Sequence, residues 1–458
     1  MRLTAAISLF LLAACAAQPT YQRPPVELPA AWQKSAPRFA EDGRWWRIYE
    51  DASLNSLIEE ALKGNADLLV AAARVDEARA LLGETRSAQA PQVDARAGAT
   101  RQQNSERTAV SPPGAPREYA NYRATLNVSY EVDVWGRLSA GAAAARAELA
   151  ASEASREAVR IALAAQVAKS YFALRSLGEQ VDLTRKTVTL REDALGLQRK
   201  RFDAGVISQF DLRQLEAESA VVRAQLPPLE REREREEIAL AVLLGRMPAD
   251  LFEKRITIEN REQGMLAPVV PSGMPSELLL RRPDLVEAER RLAAANARVA
   301  VARSEIFPSI SLTGALGRES RQLGDLFTGP AGLWVLGASL TQPIFSGGRF
   351  EARTAAAEAR ERAALAQYLQ AIRNAFGEVR TALAAQARSL ESYQAEAARE
   401  AALGESLRLA RLRYASGVAS QLDVIDAERG LLAARVARIE ALRAHRAAIA
   451  DLFRALGG

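Results

Sequence analysis

The chain has 458 residues, with 61 basic and 56 acidic side chains that are interspersed along the sequence. No basic patch with interleaved aromatic residues is present, which argues against nucleic-acid binding. One Cys and one His exclude an intrachain disulfide and a Cys/His metal site, and no set of nucleophile and base indicates an enzyme. Abundant Ala, Arg, Glu and Leu with few aromatic residues instead indicate long helices packed side by side.

The N-terminus has the pattern of a bacterial lipoprotein signal. Residues 1–14 carry an early Arg and a short apolar run, which is typical of a secretion signal and too short to span a bilayer. The Leu-Ala-Ala sequence before Cys15 resembles a lipobox, so Cys15 is predicted to be acylated; the alternative is a secreted chain with an incidental Cys. Ala16, where an Asp would retain such a protein, implies transport to the outer membrane. Residues 15–50 are predicted to form the anchor and an extended tether.

The remainder of the chain is an internal duplication. The segment RFDAGVISQFDLRQLE (201–216) matches RYASGVASQLDVIDAE (413–428), and shorter matches precede both segments. We therefore predict a first repeat at 51–245, a linker at 246–275 and a second repeat at 276–458.

Each repeat contains two segments with strand-like alternation. They are predicted at about 91–104 and 122–134 in the first repeat, and at about 308–320 and 333–345 in the second. From Tyr122 to Val134, apolar and polar residues alternate without a break. Such alternation fits two structures: a water-soluble antiparallel sheet over a core, or the wall of a membrane barrel with a wet lumen.

Two long helices favour the membrane barrel. Residues 136–203 and 347–414 lack Pro and carry apolar residues at steps of three and four, as in coiled-coil packing. They are charged throughout, so they must project into water. Shorter helices are predicted at 54–89, 207–244, 284–306 and 420–456. His445, in an Arg- and Ala-rich part of the last helix, is expected to be solvated.

Four strands per chain cannot close a barrel in lipid, because single-chain barrels begin at eight strands and open edges are not tolerated there. Several copies must therefore pool their strands. Two, three or four copies would supply eight, twelve or sixteen strands, and eight leave almost no lumen. Physical reasoning alone does not choose between twelve and sixteen.

Four segments carry a resemblance to a known family. They are Trp45-Trp46 with LNSLI (54–58), LPPLERERE (226–234), the block from 275 to 317, and the two Gly-Val turns. The chain resembles the TolC-like outer-membrane efflux proteins, in the lipoprotein branch called the NodT type (OprM-like).

The resemblance implies a mainly helical fold with a membrane β-barrel, built from duplicated helix-strand-strand-helix-helix units. Three chains would share a 12-stranded outer-membrane barrel that continues into a 12-helix periplasmic barrel. The linker 246–275 would lie in its equatorial region. The implied function is the passive exit duct of an RND-type tripartite pump, with a periplasmic adaptor and an inner-membrane transporter as partners. A duct for type I protein secretion and a pore-free periplasmic scaffold are the alternatives.

The turns at 203–208 and 415–420 lie at the far ends of the long helices. Gly205 and Gly417 stand just past the helix ends, where a left-handed residue is favoured. Ser208 with Asp211 forms a predicted capping box, as does Ser420 with Asp423. We expect Gly205, Val206, Gly417 and Val418 to touch the adaptor, because small residues permit close backbone approach.

The resemblance also implies a periplasmic gate at the second-repeat tip. Asp423 and Asp426 match the carboxylates that line it, and Tyr414 matches a gating tyrosine. Asp423 has a structural alternative, since it would also cap its helix. Ala419 stands where some members have a gating Arg. No catalytic residue, metal or cofactor is expected apart from the lipid on Cys15.

Overall fold

The computed structural model describes residues 21–25, 43–105, 116–253, 256 and 282–458. The predicted signal peptide, Cys15, most of the tether and most of the linker at 246–275 lie outside the described residues. The element bounds below refer to the described part of the chain.

The two repeats have the same order of elements. The first contains helices α1 (Ala52–Gly64) and α2 (Ala66–Ser87), strands β1 (Gln92–Gln103) and β2 (Glu118–Val132), and helices α3 (Arg137–Asp203) and α4 (Gln209–Leu243). A short helix α5 (Pro248–Glu253) follows. The second contains α6 (Pro283–Ser304), β3 (Ser309–Ser320), β4 (Gly332–Thr341), α7 (Arg349–Ala415) and α8 (Gln421–Leu456). The predicted order of helix, two strands, long helix and helix is confirmed.

The first predicted helix, 54–89, is in fact two helices. The side chain of Asn65 separates them, because its Oδ1 accepts hydrogen bonds from the backbone N–H groups of Asp67 (3.0 Å) and Leu68 (3.2 Å). Its Nδ2 donates to the carbonyl of Leu243 at 2.9 Å. The backbones of Gly64 and Gly245 approach so closely that a Cβ on Gly245 would clash with the Gly64 carbonyl. This tertiary contact, which periodicity does not reveal, sets the break.

The compact units of the structure do not coincide with the two repeats. One unit joins Arg74–Glu153 and Glu287–Leu369 with residues 21–25; the other joins residues 43–73 with the described residues of Ala154–Val286 and with Gln370–Gly458. Each repeat therefore contributes to both units. The reason is that elements of the two repeats pack together, as where β2 of the first pairs with β3 of the second.

The four strands form one antiparallel sheet in the order β1-β2-β3-β4. The strand β2 begins at Glu118, four residues before the predicted start, because Glu118 still pairs with Gln103. The strand β4 ends at Thr341 and not at 345, since Pro343 has no N–H for a ladder. Within the described residues, β1 pairs only with β2 and β4 only with β3, which leaves two open edges.

The long helices α3 and α7 each have 67 residues. At about 1.5 Å per residue, each is roughly 100 Å long. Among the described helices, none combines the length and the apolar character needed to cross a membrane.

The second unit contains an aromatic core around Trp45 and Tyr49, in the segment before α1. Trp45 stacks on Phe453 with ring centroids 5.2 Å apart, and Tyr49 meets Phe172 edge-on at 4.7 Å. The Tyr49 hydroxyl donates to the carbonyl of Arg446 at 2.7 Å. The Trp45-Trp46 pair of the sequence therefore anchors the chain before α1 to the end of α8.

His445 is not solvated as expected but fully buried. Its Nδ1 lies 3.2 Å from the Ser389 hydroxyl on α7. Burial lowers the pKa of the imidazole. The Arg-rich composition around His445 suggested a surface, but α8 packs this face against α7.

Arg282 ties the start of α6 to the end of α8. Its side chain is almost fully buried, and its Nη1 donates to the carbonyl of Ala455 at 2.6 Å. Its Nη2 donates to Asp284 at 2.7 Å and to Glu378 at 2.9 Å. One guanidinium therefore satisfies a helix C-terminal carbonyl and two carboxylates from separate elements.

We expect Arg282→Ala to destabilise the protein by about 2–3 kcal/mol, because it leaves two carboxylates and a carbonyl without their donor. Arg282→Lys keeps the charge but loses the forked geometry, so its loss should be smaller. Thermal unfolding followed by circular dichroism measures both. Arg388→Ala is the control, since Arg388 makes an exposed ion pair with Glu391. Equal midpoints for Arg282→Ala and the control would contradict the assignment.

Candidate functional site: helix tips and a two-faced sheet

Both tip turns have the same backbone geometry. Gly205 has φ +72° and Gly417 has φ +76°, and the space beside each is open. The N–H of Val206 donates to the carbonyl of Arg201 at 2.8 Å, and that of Val418 donates to Arg413 at 2.9 Å. Glycine is therefore required by the left-handed conformation that ends α3 and α7, and not by crowding.

Both capping boxes are present in the structure. The Ser208 side chain caps α4 together with Asp211, and Ser420 caps α8 together with Asp423. Asp423 Oδ2 accepts from the Ser420 hydroxyl at 2.9 Å and from its backbone N–H at 2.8 Å. These hydrogen bonds hold the pKa of the Asp423 carboxyl below its usual value. The side chain is thus both a cap and a fixed negative charge.

Each tip displays a pair of exposed apolar side chains. In the first repeat Val206 is 60% exposed and Phe210 is 74% exposed. In the second repeat Val418 is 69% exposed and Leu422 is 45% exposed. Phe210 and Leu422 were not among the predicted contact residues. The aligned segments place them at equivalent positions, so the duplication could have predicted both as tip residues. The tips therefore present exposed apolar side chains at the ends of polar helices.

The predicted gate residues engage different partners. Asp426, three residues from Asp423 on α8, lies with its Oδ1 3.4 Å from Nη1 of Arg429. The same guanidinium forms an ion pair with the buried Glu218 on α4. Asp423 makes its hydrogen bonds to Ser420. Arg429 thus connects one gate carboxylate to the first repeat.

Tyr414 also connects the repeats. Its hydroxyl accepts from Nη1 of Arg201 on α3 at 3.4 Å and donates to Gln421 at 3.4 Å. Further along the helices, Glu428 pairs with Arg191 at 3.2 Å and with Arg411 at 2.9 Å. Arg429 was not among the predicted site residues, although its spacing from Asp426 could have suggested it. Glu218 could not be predicted from the sequence, since only tertiary packing brings it near Arg429.

The sheet has one apolar and one polar face. The register aligns Leu126 with Leu316 and Leu316 with Trp334, and the same alignment holds along all four strands. The residues between them are mostly polar, such as Asn121, whose Nδ2 donates to Glu319 at 2.7 Å. The apolar face is not a core: Trp334 is 72% exposed and Leu336 is 78% exposed. A water-soluble sheet would cover such residues.

Among the described residues, no group of three or more His, Cys, Asp and Glu side chains is arranged to hold a metal ion. Cys15 lies outside these residues, so its acylation stays a prediction. The geometry places a two-faced sheet in one unit and exposed apolar side chains at the helix tips.

Comparison with known proteins agrees with this geometry. The family model described as outer membrane efflux protein matches residues 57–246 and 274–458. The toluene efflux pump outer membrane protein TtgF of Pseudomonas putida is 35% identical over 461 residues, covering 98% of this chain and 94% of that protein. The probable outer membrane lipoprotein SilC of Salmonella typhimurium is 33% identical over 466 residues, covering 100% and 98%.

The fold is likewise that of a solved channel. The crystal structure of the Campylobacter jejuni CmeC outer membrane channel matches with a TM-score of 0.89 and 27% identity, over 96% of this chain and 94% of that one. The TolC-like fold, the outer-membrane location and the efflux role expected from the sequence are confirmed. The chain belongs to the outer membrane efflux protein family and is an outer-membrane efflux channel.

Proposed function

We propose that three copies of this chain form the passive exit duct of an RND-type tripartite pump for small molecules. The observation that carries the proposal is the four-stranded sheet with an exposed apolar face, a polar face and two open edges. In lipid, those edges must be paired. The strand order makes β4 of one copy antiparallel to β1 of the next, so identical copies can close a ring.

Three sheets supply twelve strands, which enclose a lumen, whereas eight would be nearly filled by side chains. The polar face lines this lumen, and the apolar face meets lipid. Acyl chains on Cys15 add an anchor, in keeping with the lipoprotein name of SilC. A periplasmic adaptor and an inner-membrane transporter supply the energised steps. Efflux is favoured over type I protein secretion because TtgF is named as a toluene efflux pump protein.

The gate in this proposal is a ring of carboxylates at the second-repeat tips. Asp423 and Asp426 from three chains place six carboxylates around one axis, which favours cations. Arg429 lowers the net charge beside Asp426, and its ion pair with buried Glu218 holds the start of α8 against α4. Breaking that link would free α8 to move outward.

The placement of the sheet is tested by a matched pair of substitutions on neighbouring residues of β4. Leu336→Arg puts a charge on the apolar face, where Arg near the bilayer midplane costs roughly 2–4 kcal/mol. Val335→Arg puts the same charge on the polar face. We expect Leu336→Arg to lose assembled, membrane-inserted trimer and Val335→Arg to keep it, as measured by membrane fractionation and native mass spectrometry. Equal yields, or a wild type that is monomeric, would disprove the shared barrel.

The gate is tested by Asp423→Asn combined with Asp426→Asn. Asn removes the charge yet can still cap α8, whereas Ala would also lose the cap. We expect higher single-channel conductance in planar bilayers, because the tips lose the Asp426–Arg429 ion pair and the negative charge of Asp423. Asp211→Asn at the equivalent first-repeat position is the control and should leave conductance near the wild-type value. Unchanged conductance in the double variant would remove these residues from the gate.

Adaptor docking is tested at the exposed apolar side chains of the tips. Val206→Asp or Val418→Asp introduces a charge that must be desolvated in an apolar contact, so efflux should be abolished while trimer formation and membrane insertion persist. Val206→Ala and Val418→Ala keep the apolar character and should retain most efflux. The readout is substrate accumulation in cells that carry the complete pump. Normal efflux with either Asp variant would show that the adaptor docks elsewhere.

A further inference from the structure

Two Arg residues of the described strands lie on the apolar face of the sheet, Arg101 and Arg318, and Arg101 forms an ion pair with Glu118. Arg318 pairs with Ala124 on one side and Gly332 on the other, in the same row of side chains as Leu316 and Ile310. Its two cross-strand neighbours are too small to cover it. A guanidinium on a face that meets lipid is costly unless it reaches a polar partner at the membrane border.

The position of Arg318 along β3 places it at the membrane border, where such a polar partner is available. Ile310 and Arg318 bound a stretch of nine residues on β3. A tilted strand needs about 9–11 residues to cross the hydrocarbon. Arg318 thus stands at the border on the side of the β3–β4 hairpin, opposite the end where the helices join the strands. With the helices in the periplasm, this border is the outer leaflet.

Beside Arg318 the apolar face contains a groove of about 880 Å³. Its lining includes the small residues Ala97 and Ala124 and the larger Leu126, Leu316 and Trp334. Phe327 of the hairpin, 74% exposed, also lines it. The lining is therefore mostly apolar, and Arg318, Arg96 and Thr125 are its polar members.

One hydrogen bond orients the Arg318 guanidinium, and it leaves other N–H donors available for a ligand. Its Nη1 donates to the carbonyl of Thr328 at 2.8 Å, which holds the side chain towards the hairpin. A guanidinium has five N–H donors, and a phosphate can accept two of them in a forked pair. An acyl chain in the groove would place its phosphorylated headgroup at this end.

We propose that Arg318 and the adjoining groove bind a phosphorylated glycolipid of the outer leaflet, lipid A, with a phosphate on the guanidinium and an acyl chain in the groove. The outer leaflet of such membranes consists of this lipid, whereas glycerophospholipids occupy the inner leaflet. The inference depends on the proposed placement of the sheet, and it adds a lipid ligand to each subunit of the trimer.

The test uses full-length trimer in nanodiscs, with lipid A or phosphatidylglycerol as the probe and native mass spectrometry to count retained lipids. Arg318→Gln should weaken lipid A retention about five- to ten-fold, the usual worth of one Arg at an anionic headgroup. Arg123→Gln is the control, because Arg123 neighbours Ala124 on the polar face. Ala97→Phe, which fills the groove and keeps the charge, should also reduce retention.

Three results would overturn the inference: unchanged retention in Arg318→Gln, an equal loss in Arg123→Gln, or retention of phosphatidylglycerol equal to that of lipid A. Conductance of the wild-type trimer is recorded in the same preparation. A conducting trimer with no Arg318-dependent lipid would defeat this inference alone, whereas a wild type without conductance would defeat the proposed function.

Discussion

The structure depends on one constraint: hydrocarbon offers no hydrogen bonds, so every backbone N–H and C=O in the membrane must find a partner in protein. This chain meets the constraint only in part. The inner strands β2 and β3 are paired on both sides, whereas β1 and β4 each keep an open edge. In the proposed trimer, other copies pair with these edges, and the hydrocarbon itself makes that pairing necessary.

The duplication gives both repeats one scaffold and lets their tips differ. The two long helices have equal length, end in the same Gly-Val turn and are followed by the same capping box. The second repeat adds Asp426 where the first has Gln214. Its ion pair with Arg429, which also holds Glu218 of the first repeat, has no counterpart at Gln214. The two tips therefore share one backbone design and differ in the charged contacts of a few residues.

Local sequence signals predicted much of this fold, because its elements are long and strongly periodic. The strand from Tyr122 shows its two faces in the sequence, and the Gly-Val turns mark the helix ends. The wrong predictions share one cause, since each concerns a feature that depends on packing between distant segments. Asn65 breaks a helix through a contact with Leu243, and His445 is buried by α7 despite its Arg-rich surroundings. For the proposed gate, the family resemblance indicated the carboxylates, whereas no sequence signal indicated Glu218.

In the proposed gate, the double role of Asp423 limits how opening can occur. Both of its hydrogen bonds from Ser420 end on Oδ2, and they fix the carboxylate to the first turn of α8. Rotating the side chain away from the axis would break the capping box and cost about 1 kcal/mol per chain. Because the same bonds lower the pKa of this carboxyl, protonation at ordinary periplasmic pH does not release it either. Opening therefore moves α8 with its carboxylates as one body, and the Arg429–Glu218 ion pair is the contact that such a movement must break.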